Sequence, residues 1–508
     1  MKLLKNIDKT VSFTAIVIYL IIFISVLLAP TVAASVINSL MDFTLNTVGW
    51  VFIVISIFIL LAFVVIGLSK YGKMRLGSVD SKPEYSFFSW MGMLFGAGLG
   101  VGLVFYGVTE PMSHFMTAPF APDGTAQAAA DAMRTTFFHW SFIPWSMYGM
   151  IGLCIAYFTH KKGLPSLISS TFAPMLGENN TRGKVGKIID AFSLIAVISG
   201  VSMSLGFAAT QLSSGLNLQF GFNNSFAFVS LVTIIIGFIA TLSCISGVEK
   251  GIKYISDGNM YIVIFFLLFT LIFGSTTFLI SSFFENYGNM AANLPWLITY
   301  MDSYGIAASN TGFNWIGGWT IMYWAWWAAF GPFCGGFLAN ISKGRTVREF
   351  VLACTFVPGT LCCVWFNFFG GEAIHMEMFE QNGIGAAIMA NTDNSLFVFL
   401  EQLPISALTI PLSMLLIVTL IVTSVNSATF VASTFSIGGK TAPTWGIRAF
   451  WGVFIVANAI AFMAIGGLDS LKQVAIVMAF PFIIIVALMI FNLFKDMKNV
   501  YEMERKNL

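Results

Sequence analysis

Charge is scarce in this chain. Asp, Glu, Lys and Arg make up 9% of its 508 residues against 57% hydrophobic, where soluble domains carry roughly 25% charged residues; an ordinary soluble enzyme is excluded. The net charge of +2 says little about partners, and nucleic acid is not expected among them. The six cysteines (Cys154, Cys244, Cys334, Cys354, Cys362, Cys363) all lie in apolar runs, without metal-ligand or paired extracellular spacing, and read as small core hydrophobes. The four histidines (His114, His139, His160, His375) are scattered and suggest no metal site. Nucleotide motifs are missing too: the Gly-rich run GAGLGVG at 96–102 fits no GxGxxG and has no GK[ST]. No cofactor is expected, and no acid/base, nucleophile or metal cluster suits an enzyme in the bilayer.

What the chain has instead is long apolar runs. Twelve are long enough to cross a bilayer: 12–30, 48–69, 87–111, 137–158, 188–216, 225–247, 258–282, 315–341, 349–371, 407–433, 446–466 and 471–496. The first has no small-residue cleavage site and counts as a span. With a cytoplasmic N-terminus, every Lys and Arg except Arg134 and Lys472 falls on the inner side, the sorting that membrane insertion produces. The expectation is an all-α polytopic protein of the cell inner (plasma) membrane, surrounded by lipid, with both termini cytoplasmic.

Two spans carry glycine or proline in mid-membrane, where freed backbone groups must face protein, water or ligand. The third contains Gly92, Gly96, Gly98, Gly100 and Gly102; the eighth contains Gly331, Pro332, Gly335 and Gly336. Each opens a block of five spans, with two spans left at the N-terminus. Interrupted segments at matching positions point to a transporter site between inverted repeats, although close helix packing also uses small-xxx-small spacing. The expected divisions are 1–86 (inner segment and two peripheral helices), 87–282 (first repeat), 283–314 (extracellular connection), 315–496 (second repeat) and 497–508 (short inner tail).

Aromatic rings cluster beside these interruptions. Trp319 to Pro332, WTIMYWAWWAAFGP, holds four tryptophans and a tyrosine before a Gly-Pro pair. Rings attract an alkylammonium by their quadrupole, about 0.5 to 2 kcal/mol each; the alternative for any single Trp is an aromatic belt at the bilayer surface. On a regular fourth helix Trp140, Trp145 and Tyr148 would share an arc of about 140°, and on the eighth Trp326, Trp327 and Phe330 one of about 100°. No acidic residue lies on either face. In the tenth span Thr419, Thr423, Ser424 and Ser427 form a hydroxyl stripe, suited either to interhelical glue or, with carbonyls freed by an unwound helix, to a small alkali cation.

These segments resemble the betaine/carnitine/choline transporter family over nearly the whole length. The likeness is densest in GMLFGAGLGVGLVFYGVTEP (92–111), FHWSFIPWSMY (138–148), SGVEKGIKYIS (246–256), WTIMYWAWWAAFGPF (319–333), ISKGRTVREF (341–350) and TSVNSA (423–428). The resemblance implies twelve transmembrane helices with a five-plus-five inverted repeat of LeuT-like type, assembled as a homotrimer. It implies a substrate site of Trp140, Trp145, Tyr148, Trp326 and Trp327 around a trimethylammonium group, with Gly98, Gly100 and Gly102 beside the substrate. It also implies a sodium site of backbone oxygens from Gly96, Leu99 and Leu420 with the hydroxyls of Thr423 and Ser424. The family's glycine betaine carriers have a further Trp where this chain has Phe330, which thins the box. Their second sodium site uses threonines where this chain has Val197 and Val201, and Asn259 stands where the sodium-independent exchanger has an arginine.

The reading is a secondary carrier that imports glycine betaine, carnitine or choline by Na+ symport with alternating access. A sodium-independent substrate/product exchanger and an H+-coupled choline carrier are the alternatives. Glu110, Asp190 and Asp257 are expected to be interfacial or structural residues. The short stretch after the last span argues against osmosensing through a basic tail.

Overall fold

The computed structural model describes residues 7–98, 100–246, 249–439 and 442–506. The helices that position the site are α1 (Lys9–Leu28), α2 (Pro30–Asn46), α3 (Trp50–Leu68), α4 (Phe87–Gly98), α5 (Val101–Met116), α6 (Ala126–Trp140), α7 (Phe142–Ala156), α8 (Lys184–Phe220), α9 (Phe226–Ser246), α10 (Glu249–Phe273), α11 (Thr276–Ala292), α12 (Met322–Ile341), α13 (Val347–Phe366), α14 (Ser406–Ser436) and α15 (Trp445–Lys506). Among the described residues there is no strand, and nine helices or joined helical stretches are long and apolar enough to cross a membrane. The third expected span falls outside those nine because it is cut into α4 and α5. The last two expected spans lie together in α15, where Gly466 and Gly467 leave helical geometry; Gly467 has φ 65°, a left-handed turn that glycine adopts without steric cost.

Burial separates centre from periphery. In the best apolar window of α8, 89% of residues are buried, against 28% in α1, whose Phe13, Ile21, Leu27 and Leu28 face outward. In α7 every residue from Ile143 to Ala156 is buried. It packs against α12, which also meets α8 and α15; α14 crosses α8, α9 and α10. The outlying α1 is tied to α8 by the Tyr19 hydroxyl, which donates to the Ile195 carbonyl at 2.8 Å. The expected connection at 283–314 begins inside α11 and continues through two short helical turns, Leu294–Thr299 and Ile306–Thr311.

Three local features shape the centre. The third span opens between Gly98 and Val101, with Gly100 extended at φ −95° and ψ 166° and no side chain capping α5. The fourth span bends at Ser141, so Trp140 belongs to α6 while Trp145 and Tyr148 belong to α7. Pro144 is the cause: it has no N–H for the Trp140 carbonyl and its ring crowds that turn. The single aromatic face expected for the fourth span is therefore two faces on two helices.

The eighth span differs from expectation as well. It begins with a π-helical turn at Gly317–Ile321 and then continues through Gly331 and Pro332 without a break to Ile341. Its glycines serve packing: a Cβ at Gly335 would lie 2.9 Å from the Gly152 backbone nitrogen, and one at Gly331 would strike Ile151. Small residues let α7 and α12 approach closely.

Candidate substrate and ion site

The bends bring rings from α6, α7 and α12 around one small enclosed cavity of about 30 Å³, lined by Gly100, Gly102, Trp140, Tyr148, Trp326, Trp327 and Phe330, with Phe333 and Ser424 among the other walls. Trp327 is the hub. Its ring centroid is 4.8 Å from Trp140, 5.0 Å from Trp326, 5.6 Å from Tyr323 and 6.0 Å from Tyr148. Phe330 meets Trp326 edge-on at 6.2 Å. The indole N–H of Trp327 is buried with no partner among the described residues, and buried polar groups without partners are rare enough to draw notice.

One of the predicted rings does not line the cavity. Trp145 sits behind Tyr148, 5.8 Å away and edge-on. Trp324 packs on Phe138 and His139. Gly102 is where the rings demand glycine: an added Cβ would stand 2.5 Å from the Trp326 ring and 3.1 Å from that of Trp140. Gly96 and Gly98 lie in the last turn of α4, and Leu99 lies outside the described residues. On the opposite wall of the break, the first N–H groups of α5 have no side-chain cap, and such an end carries about half a unit of positive charge.

The hydroxyl stripe of α14 divides. Thr419 donates to the Asn259 side chain on α10 and so ties two helices. Thr423 and Ser424 both donate to the Leu420 carbonyl, at 2.8 and 2.9 Å, which gathers three oxygens in one turn, with Ser424 also on the cavity wall. Val197 and Val201 are fully buried and offer no oxygen.

Next to the cavity lies a larger vestibule of about 660 Å³, lined by Tyr106, Trp319, Asp393, Asp469 and Lys472 among others. A layer of three rings separates the two spaces: Tyr106, Phe207 and Trp326, with centroids 5.2 to 6.0 Å apart. Burial holds the Asp393 carboxyl above its ordinary value, while the Lys472 ammonium pulls it down.

Glu110 is not interfacial but fully enclosed. It accepts from Trp140 Nε1 at 2.7 Å, the Tyr323 hydroxyl at 2.5 Å and His139 Nδ1 at 2.6 Å, with His114 Nε2 at 3.5 Å. Two scattered histidines thus meet at one carboxylate. The i to i+4 spacing of Glu110 and His114 was the available signal; nothing local pointed to His139. Asp190 instead takes the Ser169 backbone and hydroxyl, at 2.9 and 2.7 Å, and pins a loop. Asp257 is exposed.

A many-helix membrane protein whose broken helix and ring cluster enclose a central cavity, parted from a vestibule by a layer of aromatics, has the form of a carrier for small solutes. The comparisons say which kind. The betaine/carnitine/choline family transporter profile matches residues 10–502, and the chain belongs to that family. It is 36% identical over 496 residues to a probable glycine betaine transporter of Desulfitobacterium hafniense (strain Y51), covering 97% of this chain and 98% of the relative. It is 38% identical over 473 residues to the glycine betaine transporter OpuD of Bacillus subtilis (strain 168), covering 92% and 90%. An ectoine/hydroxyectoine transporter of Virgibacillus pantothenticus is 35% identical over 479 residues, covering 94% and 93%. The protein is a multi-pass membrane transporter and not an enzyme.

Proposed function

We propose that this transporter imports a quaternary ammonium solute, with glycine betaine ahead of carnitine and choline, by Na+ symport and alternating access. One observation carries the choice of solute: a ring box on α6, α7 and α12 shares a cavity with the uncapped start of α5. Trimethylammonium suits the rings. A carboxylate suits the helix N-terminus, with the free Trp327 N–H as a further donor. A zwitterion uses both ends; choline has no anionic group for the second. A cavity of about 30 Å³ has room for little more than a water molecule, so the rings must part to admit solute, as alternating access requires.

Sodium is assigned to Gly96, Leu99, Leu420, Thr423 and Ser424. The convergence of the two hydroxyls on Leu420 beside the broken third span supports this, and hydroxyl and carbonyl oxygens are the ligands a hard alkali cation takes. One Na+ with a net-neutral betaine makes transport electrogenic, and 100 mV adds roughly 2.3 kcal/mol per charge. The inner-side sorting of Lys and Arg supports cytoplasmic termini in the plasma membrane; a homotrimer is the assembly expected of the family.

The test is a binding panel of glycine betaine, choline, carnitine, a dimethylsulfonio compound and ectoine on purified protein, with Na+ or K+. Betaine bound most tightly, and more tightly in Na+, is the expected result. Ectoine alone binding would replace the solute. Counterflow at full rate in sodium-free proteoliposomes would replace symport by exchange.

A further inference from the structure

The ring box needs no carboxylate to hold an ammonium group, yet Glu110 is buried one indole away from it. The groups facing its two oxygens are all donors: Trp140, Tyr323, His139 and His114. His114 receives the Trp315 indole N–H at its Nδ1, 3.3 Å away, so its own proton sits on Nε2, toward the carboxylate. A carboxylate accepts at about four positions. Three hydrogen bonds received, a fourth N–H facing it at 3.5 Å and no acceptor nearby make Glu110 the anion of the cluster.

His139 has a second face. Its Nε2 lies 2.9 Å from the Thr320 hydroxyl, which has no other hydrogen bond among the described residues. A hydroxyl can turn to donate to a bare ring nitrogen or to accept from a protonated one, so His139 can hold one proton or two and keep both partners. Thr320 belongs to the π-helical turn that opens the eighth span, and such turns frequently mark functional positions. The neighbouring Trp319 lines the vestibule and its ring centroid lies 4.5 Å from that of His114, tilted by 59°, which brings the cluster close to the vestibule.

We propose that His139, held between Glu110 and Thr320, is a proton-binding site that competes with the bound ammonium for the negative field of Glu110. The inference rests on the ring box being the ammonium site. With His139 neutral, the cluster carries one net negative charge; with His139 protonated, that charge is cancelled. Glu110 is also a positioning residue, since the two rings it holds, Trp140 and Tyr323, stand 4.8 and 5.6 Å from Trp327. The titratable groups meeting the cluster are His114 and Tyr106 from α5, His139 from α6 and Tyr323 from α12. Asp393, Asp469 and Lys472 line the vestibule on the far side of Tyr106.

The experiment measures choline binding to the purified full-length protein in nanodiscs by tryptophan fluorescence from about pH 8 to about pH 5.5, the range in which histidine titrates. Choline carries one fixed charge and nothing that titrates there. Affinity falling roughly tenfold toward acid, with a flat profile in folded His139→Gln, is the expected result. Thr320→Val, close in shape to the native residue, removes the hydroxyl that serves His139 Nε2 in both protonation states and so shifts the midpoint of the binding profile. That variant decides the matter if His139→Gln does not fold. A flat wild-type profile, an unaltered profile in folded His139→Gln, or an unmoved midpoint in Thr320→Val each overturns the proposal. Absence of binding by any quaternary ammonium compound at every pH takes down the ring-box reading as well; binding that ignores pH takes down this inference alone.

Discussion

In the third span glycines end one helix at Gly98 and start another at Val101, whereas in the eighth Gly331, Pro332 and Gly335 sit inside an unbroken helix from Met322 to Ile341. Spacing explains the difference. Glycines at every second residue, as at 96, 98, 100 and 102, fall on opposing sides of a helix and serve no single packing face. Each also costs about 1 kcal/mol of helix propensity, so their sum favours opening. Gly331 and Gly335 lie four apart and share one face, and that face is filled by Ile151 and Gly152 of α7. Pro332 removes one N–H and leaves one carbonyl free, a loss that a tightly packed membrane helix tolerates. Glycine in mid-membrane is thus a site signal in one half and a packing signal in the other.

The sharpest way to break this contrast is Gly102→Ala. Its Cβ would press on the fixed ends of the Trp326 and Trp140 rings, and overpacking of that kind costs about 2 kcal/mol. Borne by the box, this raises half-saturation for solute uptake roughly thirtyfold at unchanged membrane abundance. Uptake kinetics like the wild type would mean that the rings are free to shift and that Gly102 does not set the box.

Gly335→Ala should act on the other quantity. The same overpacking, about 1 to 2 kcal/mol, falls on the α7–α12 seam, so thermal melting in detergent drops by about 1 to 2 degrees for a chain of this length while affinity stays within about threefold. A large loss of affinity with no loss of stability would make the eighth span a site-forming break in function despite its continuous helix.

The third span, through Gly100 and Gly102, and Ser424 of α14 line the same cavity. Changing Thr423 and Ser424 together to Ala should remove most sodium stimulation of uptake, a loss of about tenfold at limiting Na+ if each oxygen contributes about 0.7 kcal/mol. Solute binding measured without Na+ should hardly move. Wild-type sodium dependence in the double variant would reduce those hydroxyls to the helix glue that Thr419 supplies through Asn259.

Composition and hydropathy made the helical membrane architecture legible, and ring clustering exposed the residues that line the cavity, because both are properties of residue type. Features that depend on who meets whom were not. The bend at Ser141 follows from Pro144, yet its effect is to hand Trp140 to a carboxylate on α5, which no helical wheel of one span can reveal. For Glu110, near the end of an apolar run, the sequence leaves interfacial and structural roles both open; a glutamate there is buried only if histidine, tryptophan and tyrosine arrive from other helices to surround it. Trp145 shares an arc with Trp140 and Tyr148 only in a straight fourth span, and the bend at Ser141 separates them.

The smallest expected effect is at Gly100, and it tests whether the break is held by shape or by softness. The residue has φ −95°, which any residue adopts, and an added Cβ would find nothing nearer than the Gly102 nitrogen at 4.0 Å. Gly100→Ala therefore meets no steric objection, and by stiffening the unfolded chain it gains about 0.4 to 1 kcal/mol of stability. Half-saturation for uptake should change by less than about threefold, far below the effect of Gly102→Ala two residues on. If Gly100→Ala instead halts turnover while leaving solute binding intact, the opening between α4 and α5 works as a hinge that must flex during each cycle, and its glycines are there for motion as well as for room.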